Sequence, residues 1–199
     1  MKKLINTLVF VSLTLLSTNS FSYTSDPKIF IKELVDDATK TLSDKSISKA
    51  DKAKKVKAIA LENVDIYAIG MYTLGNVRKT LDEDTLTKYQ ELFEKYFLKS
   101  LTSRLTDYSN NIFEVMSVDQ KTETTTVVMS RIVKSSTQPE IKIEWRLYTK
   151  DPNKPLIRDL KIEGLSIART QKEEFRSILN SNKNDINILF TKLEEFIKN

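Results

Sequence analysis

The spacing of apolar residues changes once along the chain, from a helical period before residue 110 to a strand period after it. Between Phe30 and Leu42 apolar residues recur every four positions, directly after Asp26-Pro27, a pair typical of a helix start. A Lys-rich stretch over 46–58 carries only a thin apolar stripe, which predicts a helix with a solvated face. A short apolar helix over 64–74 is predicted to end at Gly75.

The longest predicted helix covers about 82–108 and follows a capping-box pattern over 80–83. Its apolar stripe is rich in aromatic side chains, namely Leu86, Tyr89, Phe93, Tyr96, Phe97, Leu101, Leu105 and Tyr108. Such a stripe is equally consistent with ordinary core packing and with the wall of a ligand pocket.

From residue 112 the apolar positions alternate, which predicts four strands over 112–118, 124–133, 140–148 and 156–165. The third is the clearest, with Ile143, Trp145 and Leu147 on one face and charged residues on the other. Arg158 is an exception, because the alternation places it on the apolar face of the fourth strand. The short links favour an antiparallel meander.

Two further helices complete the chain. Thr170 begins a capping-box pattern that predicts a helix to about residue 179, and Asp185 is the predicted cap of the last helix. The predicted fold class is α+β: N-terminal helices, a four-stranded antiparallel sheet, and C-terminal helices covering one face.

The first 22 residues have the layout of a secretory signal peptide. Lys2 and Lys3 precede an apolar stretch over 4–16, and Ser20 and Ser22 stand at the small-residue positions of a cleavage site. The stretch is too short and polar to favour an uncleaved membrane anchor. We therefore expect residues 1–22 to be removed on export, leaving 23–199 as a single domain.

The amino-acid composition excludes most classes of catalytic site and metal site. The 199 residues include no His and no Cys, so Cys nucleophiles, disulfides, imidazole ligands and His-dependent triads are excluded. The net charge of +5 comes from 32 basic and 27 acidic residues mixed along the chain, which argues against nucleic-acid binding. We expect no metal, cofactor or catalytic residue, although carboxylates, Lys and Tyr leave an enzyme possible.

Two stretches resemble the MlaC family, also called the toluene-tolerance family. The first is V-D-I at 64–66, L-G at 74–75 and Y-x-x-x-F-x-x-x-F over 89–97; the second is R-D-L-K-I-E-G-L-S over 158–166 with the T-Q-K that begins at 170. The resemblance implies a cone-like shell that binds phospholipid by its acyl tails. It also implies a soluble periplasmic carrier between an outer-membrane lipoprotein complex and an inner-membrane ABC transporter, and it indicates no catalytic residues.

A lipid carrier needs a dry apolar interior, because exposing two long tails to water costs roughly 20 kcal/mol at about 0.8 kcal/mol per CH₂. We expect a cavity between the sheet and the long helix, in the upper part of the usual range of about 300–1,000 Å³ or larger. The predicted lipid-binding residues are Ile66, Ile69, Leu74, Phe93, Tyr96, Phe97, Leu101, Ile143, Trp145, Leu147, Leu160 and Ile162.

Two alternatives stay open. An isomerase or dehydratase on a similar cone would use a buried carboxylate, for which Asp65, Asp159 and Glu163 are the candidates. We expect structural roles for all three, since Asp65 lies at a helix start and the other two alternate away from the apolar face. A periplasmic binding or adhesion module that uses its outer surface is the other alternative.

Overall fold

A computed structural model describes residues 23–105, 112–136 and 139–198 of the chain. Its helices are α1 (Pro27–Ser43), α2 (Lys49–Asn63), α3 (Ile66–Leu74), α4 (Glu83–Leu105), α5 (Ile167–Ser181) and α6 (Ile186–Lys198), with a short 3₁₀ turn at Val77–Lys79. Its strands are β1 (Phe113–Thr122), β2 (Thr125–Ile132), β3 (Ile141–Tyr148), β4 (Leu156–Ile162) and β5 (Leu165–Ser166). The predicted signal peptide and the predicted end of the long helix at Tyr108 lie outside the described residues.

The α+β prediction is confirmed, with one difference in strand number. The strands form one antiparallel sheet in the order β1-β2-β3-β4-β5, so the predicted meander is also correct. The predicted fourth strand divides at Glu163 and Gly164, whose φ values of 50° and 82° make a two-residue hairpin between Ile162 and Leu165. Turns with two positive φ angles match the twist of the flanking strands and favour Gly.

Most predicted helix caps are correct, and two are displaced. Asp26 accepts hydrogen bonds from the first turn of α1, and Gly75 ends α3 with φ of 58°. The cap of α4 is Asp82, which accepts from the Thr85 backbone N–H at 2.8 Å. Thr80 is two residues before this cap and does not cap α4. Its hydroxyl instead donates to the Val77 carbonyl of the preceding 3₁₀ turn.

The cap of α5 is also earlier than its predicted position. Ser166 accepts from the Arg169 backbone N–H, so the helix starts at Ile167. Thr170 is inside the first turn, where its hydroxyl donates to the Ser166 carbonyl. Both threonines fit a capping-box pattern, but Asp82 caps α4 in place of Thr80 and Ser166 caps α5 in place of Thr170.

A bulge at Arg158 explains why this residue breaks the alternation. Arg146 is paired with Asp159 and Leu147 with Ile157, which leaves Arg158 as the additional residue of β4. Such a bulge inserts one unpaired residue and changes the face of everything beyond it. Ile157 therefore faces inward with its partner Leu147, while Arg158 reaches the start of α3.

The helices and the sheet enclose two apolar cores. One lies among α3, α4, α5 and α6 and includes the fully buried Tyr89, Phe93, Leu179, Leu189 and Leu193. The other lies between α1 and the sheet, with the residues Phe30, Ile31, Leu34, Ile59, Val128, Leu147 and Ile157. Among the described residues, no helix combines the length and the apolar character that spanning a membrane requires.

Candidate functional site

A cavity of about 540 Å³ lies between the two cores, bounded by α1, α2, α4, α5 and the inner face of the sheet. Helices α1 and α2 contribute Leu34, Val35, Ala38, Thr39, Leu42, Val56, Ile59 and Ala60, and Val64 and Ile69 follow them. Helix α4 contributes Phe93, Tyr96, Phe97, Ser100, Leu101 and Ser103. The sheet and α5 contribute Phe113, Ile132, Ile141, Ile143, Trp145, Ile157, Asp159, Leu160, Ile162, Ile167, Ala168 and Gln171.

Most side chains of this lining are apolar, and five are polar. Thr39, Ser100, Ser103, Asp159 and Gln171 are the polar residues among those that line the cavity. Among the described residues that line the cavity there is no Lys or Arg, so an anionic ligand group would find no cationic partner there. The lining suits hydrocarbon rather than a phosphate or a carboxylate.

Nine of the twelve sequence-predicted residues are brought together around this cavity. They are Ile69, Phe93, Tyr96, Phe97, Leu101, Ile143, Trp145, Leu160 and Ile162. The cross-strand register explains the β3 and β4 members, since Trp145 is paired with Leu160 and Ile143 with Ile162. Directly opposite residues of an antiparallel pair share a face, so the four side chains form one patch. Their contact with lipid stays a prediction.

The other three predicted residues lie elsewhere. Leu147 has 0% exposure and packs against α1 with Phe30 and Ile31, so its predicted position in the wall is wrong. It shares the inner face of the sheet with Trp145, but α1 covers that end of the face. Ile66 and Leu74 are buried in the core that joins α3 to α4 and α5, and neither lines the cavity.

The first helix is one part of the site that the sequence analysis missed, and Val56, Ile59 and Ala60 of α2 are another. Leu34, Val35, Ala38 and Leu42 of α1 line the cavity. The regular four-residue spacing over this stretch was a usable signal, because it continues for two turns beyond the buried Leu34. The cavity volume falls in the middle of the usual range rather than in its upper part.

Hydrogen bonds hold the aromatic side chains of the wall in place. The Trp145 indole N–H donates to the Ser130 hydroxyl at 2.8 Å, and its ring meets Phe113 edge-on at 6.1 Å between centroids. The Tyr96 hydroxyl donates to the Gln171 amide oxygen at 2.6 Å, joining α4 to α5 across the cavity. These bonds satisfy the polar ends of the two side chains and leave their rings as apolar surface.

Each carboxylate that could serve an enzyme already has structural partners. Asp65 caps α3 through the Ala68 N–H, and its other oxygen pairs with the Arg158 guanidinium at 2.8 Å. Arg158 also lies over the Tyr148 ring, 3.4 Å from its centroid. Glu163 accepts from the Lys142 N–H at the turn.

Asp159 is closer to the cavity than predicted, because it is part of the lining. One of its oxygens accepts from the Leu160 and Ala168 backbone N–H groups, and the other from the Ser166 hydroxyl at 2.6 Å. The carboxylate thus ties β4 to the start of α5. No group of His, Cys, Asp or Glu among the described residues is arranged to hold a metal ion.

Comparisons with known proteins agree with this architecture. The chain is similar to a phospholipid-binding protein from Ralstonia solanacearum, solved in complex with a phospholipid, with a TM-score of 0.69 and 18% identity. The likeness covers 84% of this chain and 94% of that one, and at this identity it shows the fold. The comparison with curated proteins finds no match. The family model for the MlaC protein matches residues 32–195, and the chain therefore belongs to the MlaC family.

Proposed function

We propose that this protein binds phospholipid by its acyl tails in the cavity and carries it through water. The observation that carries the proposal is the cavity itself: about 540 Å³ of space whose walls are almost entirely aliphatic and aromatic. Protein interiors are normally close-packed, because an unfilled cavity is destabilising. A cavity of this size is therefore unusual for a core that serves packing alone. A ligand that fills it with hydrocarbon removes that cost.

The energy of tail burial is large enough for a stable complex. Moving hydrocarbon out of water is worth about 0.8 kcal/mol per CH₂, hence roughly 11 kcal/mol for a tail of about fourteen CH₂ groups. The similar fold of the Ralstonia solanacearum protein, which holds a phospholipid, supports the same class of ligand here. Because the described lining lacks basic side chains, the head group stays at the mouth or in water.

The periplasm is the proposed location, and shuttling between the two membranes is the proposed role. The signal-peptide layout of residues 1–22 and membership in the MlaC family support both. The proposed partners besides phospholipid are an outer-membrane lipoprotein complex and an inner-membrane ABC transporter, as the family resemblance implies.

A carrier is favoured over the isomerase or dehydratase alternative. Such an enzyme needs a carboxylate free to take or give a proton beside its substrate. Asp159, the one acidic side chain in the described lining, accepts three hydrogen bonds that fix the start of α5. We therefore propose a non-enzymatic role.

Native mass spectrometry of the protein recovered after export tests the proposal. We expect a mass increment equal to one or more phospholipids, and organic extraction of the same sample should release them. A folded protein that carries no lipid, and that takes up none from vesicles after delipidation, would contradict it.

A further inference from the structure

The apolar surface of the cavity continues onto the outside of the molecule at the β4–β5 hairpin. Ile162 lines the cavity and is paired with Leu165 across the two-residue turn. Opposite residues of an antiparallel pair lie on the same face, so Leu165 extends the cavity-lining face by one strand. Its side chain is nevertheless 71% exposed.

A second exposed aliphatic side chain stands beside it. Ile167 begins α5, lines the cavity and is 38% exposed. Leu165 and Ile167 together are here called the apolar lip. No strand of the described part of the sheet lies beyond β5, so β5 is an edge strand.

The backbone holds the apolar lip in a fixed position. On one side is the tight turn at Glu163 and Gly164. On the other, the Asp159 carboxylate binds the Ser166 hydroxyl and the Ala168 N–H. Leu165 and Ile167 are thus aliphatic residues that a rigid frame presents to solvent at the edge of the cavity.

We propose that the apolar lip enters the interface of a phospholipid bilayer while a tail passes between bilayer and cavity; this inference rests on the proposed function. A tail that left the bilayer through water would expose each CH₂ in turn, at a cost that grows along the chain. A continuous apolar path from bilayer to cavity removes that exposure. Two aliphatic side chains give a weak, reversible contact, which suits a carrier that must leave again.

The local charges predict how this contact depends on lipid composition. Arg169, Lys142 and Glu163 are exposed near the apolar lip, and together they carry a net charge of only +1. Contact through the apolar lip should therefore need no anionic lipid and should tolerate salt. Electrostatic attraction of the whole basic chain would show the opposite dependence.

The test measures transfer of fluorescent phospholipid from donor to acceptor vesicles of pure phosphatidylcholine by the exported protein. Leu165→Gln should slow transfer about tenfold, with unchanged lipid content in the purified protein. Leu61→Gln is the matched control, since Leu61 is 50% exposed and outside the lining, and it should transfer at the wild-type rate. Leu165→Trp should raise transfer, because Trp favours the bilayer interface.

The outcomes separate this inference from the proposed function. If the wild type carries phospholipid but Leu165→Gln and Ile167→Gln both transfer normally, the apolar lip has no such role and the carrier function stands. The same holds if transfer requires anionic vesicles, or if Leu165→Gln matters only when a partner protein is present. A wild type without lipid would instead contradict the proposed function.

Discussion

Placing a carboxylate in the cavity should remove bound lipid while leaving the protein folded. Ile143 is the position of choice, since it lines the cavity, is 8% exposed and belongs to neither core cluster. In the empty Ile143→Glu cavity, water can solvate the new carboxylate. When a tail enters, that water leaves, and the group must become neutral or stay charged against hydrocarbon.

The magnitude follows from the ordinary pKa of glutamic acid. Holding a group of pKa about 4.3 neutral at pH 7 costs about 2.7 units at 1.36 kcal/mol each, or about 3.7 kcal/mol. That is roughly a 500-fold loss in affinity for the tail. Loss of the isoleucine packing costs the fold about 1.5–3 kcal/mol, which a domain of ordinary stability tolerates.

The assay is phospholipid per mole of purified protein, together with a melting curve, for wild type, Ile143→Glu and the neutral control Ile143→Gln. We expect the glutamate variant to be nearly empty and folded, with the control retaining much more lipid. Loading of the glutamate variant should recover as the pH is lowered toward 4.3, because protonation removes the charge. A folded Ile143→Glu protein with a full complement of lipid at pH 7 would refute the reasoning.

Four further results are expected. Leu147→Ala should lower the free energy of unfolding by about 2–5 kcal/mol without changing lipid content, because Leu147 is core; equal lipid loss and destabilisation would contradict this. Arg158→Gln should cost about 1 kcal/mol in chemical denaturation, since the partly exposed pair with Asp65 is lost. Asp159→Asn should bind lipid normally, and a selective loss of binding would count against its structural role. The Thr85 hydrogen bond lowers the pKa of Asp82, so Asp82→Ala should destabilise at neutral pH. That difference should disappear as the pH falls through the lowered pKa, in thermal melts from pH 7 to 2.

The sequence predicted the parts of this fold in which local periodicity decides the structure. The four-residue spacing of α1, the aromatic stripe of α4 and the alternation in β3 all appear as expected. The bulge at Arg158 could not be predicted, because a bulge changes the face of later residues without leaving a clear local signal. The only sign of it in the sequence was the position of the charged Arg158 on the predicted apolar face, and this sign alone does not identify a bulge.

Site residues could be predicted from the sequence only where all apolar residues on one face of a strand or helix line the cavity. Trp145 and Leu147 share a face of β3, and alternation alone cannot separate them. The packing of α1 over one end of the sheet assigns Leu147 to the core and leaves Trp145 in the wall. Such long-range packing depends on how the helices arrange themselves around the sheet, and single-strand patterns do not carry that information.

The central claim, that acyl tails occupy the cavity beside β3, can be measured through Trp145, the one tryptophan of the chain. Its ring lines the cavity, so bromine atoms on a bound tail would come into contact with it. The account predicts that phospholipid with brominated tails quenches the tryptophan fluorescence strongly on loading, whereas the same lipid brominated only in its head group does not. Loading confirmed by mass spectrometry without quenching by the brominated tails would contradict it.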